Sequence, residues 1–128
     1  MTANARFYNW GRLPKEVVRP GVSRCGFRGD DALIVMNWLE SGMETKPHSH
    51  GCEQIVYIEQ GQIRFHIGEN VTEGGPASLM SIPPNVKHYG GPFGYEPVVN
   101  LDVFSPIREG YRNLVEYQLA AIETEHTS

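Results

Sequence analysis

Short apolar runs recur along the chain between glycine and proline residues. Five of them are rich in Val, Ile, Phe and Tyr, residue types that favour β-strands; they cover Ala32–Leu39, Gln54–Ile58, Gln62–Ile67, Ser78–Ile82 and Val98–Phe104. The chain has 14 Gly and 9 Pro, and many fall in turn-like segments such as ESG, EQG, GEN, EGGP, PPN and GGPFG. Strands at this spacing predict an all-β sandwich or barrel rather than alternating strands and helices.

The two ends of the chain have a different pattern. Residues 1–20 are predicted to be an N-terminal arm that either adds an edge strand or crosses to a partner, and residues 21–112 to be the barrel. In the C-terminal tail, residues 113–128, the apolar positions Leu114, Val115, Leu119 and Ile122 fall roughly on one helical stripe. This spacing is compatible with a short C-terminal helix.

Length and charge narrow the function classes. At 128 residues the chain is about one domain long. Its net charge of −4 comes without a block of Lys or Arg, which argues against nucleic acid or an anionic membrane as a partner. The first residues, MTANARFYNW, lack an apolar signal core, and no stretch is long enough to span a bilayer. Cys25 and Cys52 form neither a C-x-x-C pair nor a disulfide framework. We therefore expect a cytoplasmic protein.

Two of the five histidines lie one residue apart, just before a run of strand formers. Residues i and i+2 of a strand point to one face, so His48 and His50 could hold one ion between them. By the same parity Gln54 reaches inward, whereas Glu53 points to the opposite face. The segment IPPNVKHYG brings His88 from a distant strand. Three imidazoles and one oxygen predict a site for one divalent transition metal, and they suit Fe, Mn, Ni, Zn or Co about equally.

An isolated H-x-H pattern is weak evidence, because histidines that only form hydrogen bonds outnumber metal ligands. The spacing of the whole set is more specific, and it resembles the two motifs of the cupin superfamily, whose fold is a small jelly-roll β-barrel. The first motif, G-x5-H-x-H-x3-E-x6-G, is matched by Gly42, His48, His50, Gln54 in the Glu position, and Gly61. The second, G-x5-P-x-G-x2-H-x3-N, is matched by Pro83 and His88, with Ala77, Asn85 and Pro92 in place of Gly, Gly and Asn. The resemblance covers residues 21–112 and implies a single-domain cupin barrel.

The segment VVNLDVFSPIRE supplies a second group of candidate residues. By alternation, Asn100, Asp102 and Phe104 share one face of a strand, while the other face, with Val99, Leu101 and Val103, is aliphatic and is predicted to pack in the core. Asp102 then points either to solvent or into the barrel cavity. Phe104 on the same face and Arg108 just beyond the strand favour the cavity, and together they predict a pocket for a small acidic molecule.

The segments GVSR, PHSH..EQ, IPPNVKH and DVFSP.RE together resemble the single-domain cupins of the KdgF type, which ketonise 4,5-unsaturated monouronates from pectin or alginate. This resemblance implies that His48, His50, Gln54 and His88 hold the metal and that Asp102, Phe104 and Arg108 are the catalytic residues. The chain departs from these proteins in reading HGCEQ where relatives commonly carry HPHEQ. We also expect a homodimer.

Two classes of function remain at this point. In the first, an enzyme isomerises or ketonises a small acidic, unsaturated uronate-like substrate, with Arg108 holding its carboxylate and Asp102 moving the proton. Among enzymes the alternative is a cupin dioxygenase with a three-histidine iron-type site, which oxygen uptake would reveal. The second class is a non-catalytic cupin that binds a metal and a small acid for sensing or storage, and such a protein needs no proton-transferring residue.

Overall fold

The computed structural model describes residues 5–119, which form two antiparallel sheets that pack face to face. The nine strands are β1 (Glu16–Arg19), β2 (Val22–Arg28), β3 (Leu33–Leu39), β4 (Glu53–Gln60), β5 (Ile63–Ile67), β6 (Asn70–Gly74), β7 (Leu79–Ile82), β8 (His88–Pro92) and β9 (Val98–Ser105). The larger sheet has the order β1-β2-β3-β9-β4-β7, and the smaller has the order β6-β5-β8. The predicted all-β architecture is confirmed.

All five predicted strands are present, with ends that differ by at most two residues. The N-terminal arm adds an edge strand, β1, which was one of its two predicted alternatives, whereas β2, β6 and β8 were not predicted. The prediction of a turn at GGPFG is wrong for Gly90, Gly91 and Pro92, which belong to β8. Gly90 is required there because a Cβ atom would come within 2.7 Å of the Phe65 ring.

The chain's C-terminal part closes one end of the barrel. Residues Glu109–Val115 form a 3₁₀ helix that continues as an α-helical turn over residues 116–119, so the short C-terminal helix is confirmed. Leu114 and Val115 are buried, whereas Leu119 is 49% exposed and Ile122 lies outside the described residues. Among residues 5–119, no helix has the length and apolar character needed to cross a bilayer.

Two clusters of buried apolar side chains fill the space between the sheets. The larger is built mainly from β4, β5 and neighbouring strands, and the smaller contains Leu33, Val35 and Phe104 with the C-terminal helix. On β9, Val98 belongs to the first cluster and Phe104 to the second, while Asn100 and Asp102 lie between them on the same face. Polar side chains are therefore buried at the level where the two clusters meet.

The alternation of β9 is as predicted, but the aliphatic face is not the core face. Asn100, Asp102 and Phe104 are 3%, 8% and 0% exposed, whereas Val99 and Leu101 are only half-buried. The aliphatic residues lie on the outer face of the large sheet, where side chains of adjacent strands cover one another. Trp38 lies opposite Val99, and Tyr57 opposite Leu101. The pattern of apolar residues thus indicated the wrong face as interior.

Two residues that replace motif glycines have left-handed backbone conformations. Ala77 has φ = 71° and Asn85 has φ = 66°. Asn tolerates this conformation, but for Ala it costs about 1 kcal/mol. Relief of this strain exceeds the several tenths of a kcal/mol that glycine costs through the entropy of the unfolded chain, so we expect Ala77→Gly to raise the free energy of unfolding by about 0.5 kcal/mol, measured by urea denaturation.

The control is Ala32→Gly, at an alanine without positive φ. It should lower the free energy of unfolding by several tenths of a kcal/mol, because glycine increases the entropy of the unfolded chain. An equal loss of stability in both variants would contradict the strain at Ala77.

Candidate metal centre and ligand cavity

Three histidines from two distant segments converge at one site, where His48 is exposed, His50 is half-buried and His88 is buried. His48 and His88 form an isolated antiparallel bridge in which each backbone N–H donates to the other's carbonyl oxygen, at 3.0 and 2.8 Å. His50 follows two residues after His48, and the three ring centroids are 4.4–5.9 Å apart. One nitrogen from each ring lies within 4.8 Å of the others. This cluster could hold one metal ion.

The backbone sets the tautomer of each ring. Nδ1 of His48 is 2.9 Å from the carbonyl oxygen of Lys46, Nδ1 of His50 is 2.9 Å from that of Cys52, and Nδ1 of His88 is 2.8 Å from that of Val86. A carbonyl oxygen only accepts, so Nδ1 carries the hydrogen and each Nε2 keeps a free lone pair. Nε2 of His88 is buried without a hydrogen-bond partner among the described residues.

The electrostatic surroundings favour neutral imidazoles. Burial lowers the pKa of His48 and of His88, and the positive charge of Arg108 lowers both further. A neutral ring is the form that binds a metal. The rings of His48 and His88 are therefore in the form that can act as ligands near pH 7.

Gln54 supplies an oxygen to the same cluster. It lies in β4 and is 5% exposed, whereas its neighbour Glu53 is exposed and points away. Oε1 of Gln54 is 3.1 Å from Nε2 of His50. Two acceptor atoms at this distance repel each other unless a cation lies between them, and neighbouring ligands of one ion at about 2.1 Å are about 3.0–3.4 Å apart. The donor set of three nitrogens and one amide oxygen therefore fits a divalent transition metal.

Asp102 lies beside this cluster in a shell of amide donors. Nδ2 of Asn37 donates to its Oδ2 at 2.8 Å, Nδ2 of Asn100 donates to its Oδ1 at 3.0 Å, and Gln54 forms a further hydrogen bond. Burial raises the pKa of the Asp102 carboxyl to about 6, against the opposing effect of these hydrogen bonds and of Arg108.

Arg108 and Phe104 occupy different positions relative to the cavity. The Arg108 guanidinium lies over the Tyr111 ring, with 4.1 Å from Cζ to the ring centroid, and it lines the cavity together with His48 and Asp102. Phe104 is fully buried behind the site, where its ring contacts His50 edge-on at 5.4 Å. In the part of the chain that the structure describes, Phe104 does not line the cavity, so its position is that of a packing residue that supports His50 and Tyr111.

The cavity has a volume of about 280 Å³, near the lower end of the range for small-molecule sites. Its polar end carries two residues that strand parity and motif spacing did not single out as functional, Asn37 and Tyr111. Arg24 also lines the cavity; it belongs to the GVSR segment, and the sequence did not assign it a role. The remaining histidine of the described chain, His66, stacks on Tyr89 at 4.4 Å and is not part of the cluster.

Solved structures share this fold. KdgF from Halomonas sp. is 23% identical, with a TM-score of 0.75 over 84% of this chain and 98% of that one. An RmlC-like cupin from Shewanella frigidimarina is 21% identical, with a TM-score of 0.76 over 84% and 96% of the two chains. The oxalate decarboxylase of Lactobacillus farciminis, in a formate complex, is 18% identical, with a TM-score of 0.70 over 78% of this chain and 33% of that one.

At these identities the likeness establishes a common fold. A search of curated protein sequences gives no significant match. The family of cupin domains matches residues 35–104, which is more than half of the chain and includes His48, His50, Gln54, His88 and Asp102. The protein therefore belongs to the cupin domain family.

Proposed function

We propose that the protein is a metal-dependent cupin enzyme that converts the enol form of a small, unsaturated uronate-like acid into its keto form without oxidation. The observation that carries this proposal is Asp102. It is a buried carboxylate that lies beside the three histidines, accepts hydrogen bonds from Asn37 and Asn100, and lines the same cavity as Arg108. A carboxylate held in this way can accept a proton from a bound substrate and return it. A protein that only bound acids would be better served by a neutral residue there.

His48, His50, Gln54 and His88 are the residues that would hold the ion. A divalent ion bound there acts as a Lewis acid that polarises a substrate oxygen and stabilises negative charge on it. The neutral amide of Gln54 leaves the full charge of the ion in the site, where a carboxylate ligand would cancel part of it.

The proton transfer needs no oxidant. In a ring-closed uronate the hemiacetal first opens: the bond from C1 to the ring oxygen breaks, the C1 carbonyl forms, and the former ring oxygen takes the proton and becomes the enol hydroxyl. Asp102 then accepts the proton of this hydroxyl, the C=O bond forms as the C=C bond is lost, and the carboxyl returns the proton to the carbon. Asn37 and Asn100 hold the carboxylate in one orientation throughout, because each donates to a different oxygen. The Arg108 guanidinium holds the substrate's carboxylate.

The direct test is to follow the ultraviolet absorbance of an unsaturated monouronate with the metal-loaded protein. We expect a loss of absorbance without oxygen consumption. If the substrate stays unchanged, the proposal fails. Oxygen uptake by the Fe(II)-loaded protein in the same assay would replace the isomerase with a dioxygenase.

Arg108→Ala should weaken substrate binding more than it slows the chemical step. Losing a charge-assisted pair should raise KM by about tenfold or more, with a smaller change in kcat. The measurement is steady-state kinetics at matched metal occupancy.

Arg64→Ala is the control, since Arg64 pairs with Glu73 at 2.8 Å on the other sheet, away from the cavity. Equal KM values for wild type and Arg108→Ala would show that Arg108 does not hold the substrate.

A further inference from the structure

Arg24, in β2, is a second guanidinium in the site cavity. Its side chain is only 17% exposed, and its Nε is buried without a hydrogen-bond partner within residues 5–119. The ion pair that it makes, with Glu16, is long at 3.4 Å, and the other oxygen of Glu16 accepts from Asn113. Nε of Arg24 is therefore a donor that the described protein leaves unused, while another nitrogen of the same guanidinium pairs with Glu16.

Arg24 and Arg108 share one aromatic ring. Cζ of Arg24 lies 4.3 Å, and Cζ of Arg108 lies 4.1 Å, from the centroid of Tyr111. The two Cζ atoms are therefore at most about 8 Å apart, and both side chains line the cavity. Stacking on the same ring fixes the two like charges relative to each other. Such an arrangement is favourable when anionic groups bind between or beside them.

The charge of the cavity is opposite to that of the chain. The protein carries a net charge of −4, yet the cavity is lined by four cationic side chains, Arg19, Arg24, Lys46 and Arg108. Among the described lining residues, Asp102 is the one acid. Asp102, and Glu16 through its pair with Arg24, offset two of these charges, so a single substrate carboxylate would still leave one uncompensated, even before a divalent ion is added.

We infer that the substrate carries two carboxylates, one bound by Arg108 and the other by Arg24. The preferred ligand is then an enolisable, uronate-like acid that carries a second carboxylate, and a monouronate, which lacks that carboxylate, would be a weaker substrate of the same site. That the ligand can enolise follows from the proposed function. That it carries a second carboxylate is inferred independently, from Arg24, Tyr111 and the charge of the cavity. The volume of about 280 Å³ leaves room for an acid of this size.

The test is isothermal titration calorimetry of the Mn²⁺-loaded protein with matched pairs of ligands: succinate against succinamate, and glutarate against glutaramate. Each pair differs by one carboxylate at nearly constant size. We expect the wild type to bind the better dicarboxylate at least about tenfold more tightly than its monoamide. In Arg24→Met, which keeps the apolar stem, this preference should fall to about twofold or less, while monoamide binding changes little.

Arg24→Lys is a second variant in case Arg24→Met unfolds, since it retains a charge but cannot stack as a plane on Tyr111; it should keep only part of the preference. Arg64→Met is the control and should keep all of it. If the wild type shows no preference, or if the preference persists in Arg24→Met, the inference is wrong. Binding and turnover of a monouronate without a preference for dicarboxylates would overturn the inference alone, whereas absence of binding by every acid would overturn both proposals.

Discussion

Asp102→Asn should slow the ketonisation of an unsaturated uronate by about 100-fold or more, the usual effect of losing a positioned general base. Asn keeps the size of the side chain but cannot accept a proton at pH 7. The metal content should stay near that of the wild type, because the histidine cluster is held by backbone carbonyl groups and not by Asp102. The measurement is kcat from the ultraviolet assay, at equal metal occupancy.

Asp31→Asn is the matched control, since Asp31 is exposed and does not line the cavity. It should react at the wild-type rate. The thermal midpoint of each variant must also be compared, because Asp102→Asn introduces an amide among three other amides and could disturb their hydrogen bonds. A folded, metal-loaded Asp102→Asn variant with wild-type kcat would exclude Asp102 as the base.

His88→Ala should weaken metal binding by at least about 100-fold. Loss of a direct ligand should lower the affinity more than loss of a residue that only hydrogen-bonds to a ligand. The substitution removes one of the three ligand nitrogens, and the carbonyl oxygen of Val86 loses its hydrogen-bond donor. Equilibrium dialysis against Zn²⁺ or Mn²⁺, followed by elemental analysis, measures the affinity without any enzyme assay. His66→Ala removes the histidine that lies outside the cluster and should bind the ion as the wild type does.

The same dialysis separates Gln54 from Glu53. Gln54→Ala should lower metal affinity more than Glu53→Ala does, because Oε1 of Gln54 lies among the histidines and Glu53 is exposed. A larger loss in Glu53→Ala would mean that the strand has a different register when the ion is bound.

Strand parity predicted much of the site because β4 and β9 are regular where the functional residues lie. It placed Gln54 inward and Glu53 outward, and it placed Asp102 and Phe104 on one face of β9. Parity says only which residues share a face, however. Which face is interior depends on the partner sheet, and this explains why Val99, Leu101 and Val103 were wrongly predicted to pack in the core.

Other residues were missed because their positions depend on contacts between distant segments. Asn37 is a single polar residue in an apolar strand, and its hydrogen bond to Asp102 joins positions 65 residues apart. Arg24 and Tyr111 meet only when the C-terminal helix packs on β2. Gly90 resembled part of a turn because a glycine that makes room for a neighbouring ring, here Phe65, cannot be told in the sequence from a glycine that bends the chain.

The bridge between His48 and His88 also sets the order in which the molecule can assemble. These residues stand forty positions apart and fasten the ends of a segment that contains β4, β5, β6 and β7. Closing a loop of that length costs an unfolded chain roughly 3 kcal/mol of entropy beyond a constant. The third histidine and Gln54 lie inside the same loop, near one end. The ligand cluster therefore does not exist in any partly folded chain in which this loop is open, and uptake of an ion would report on closure of the barrel during refolding.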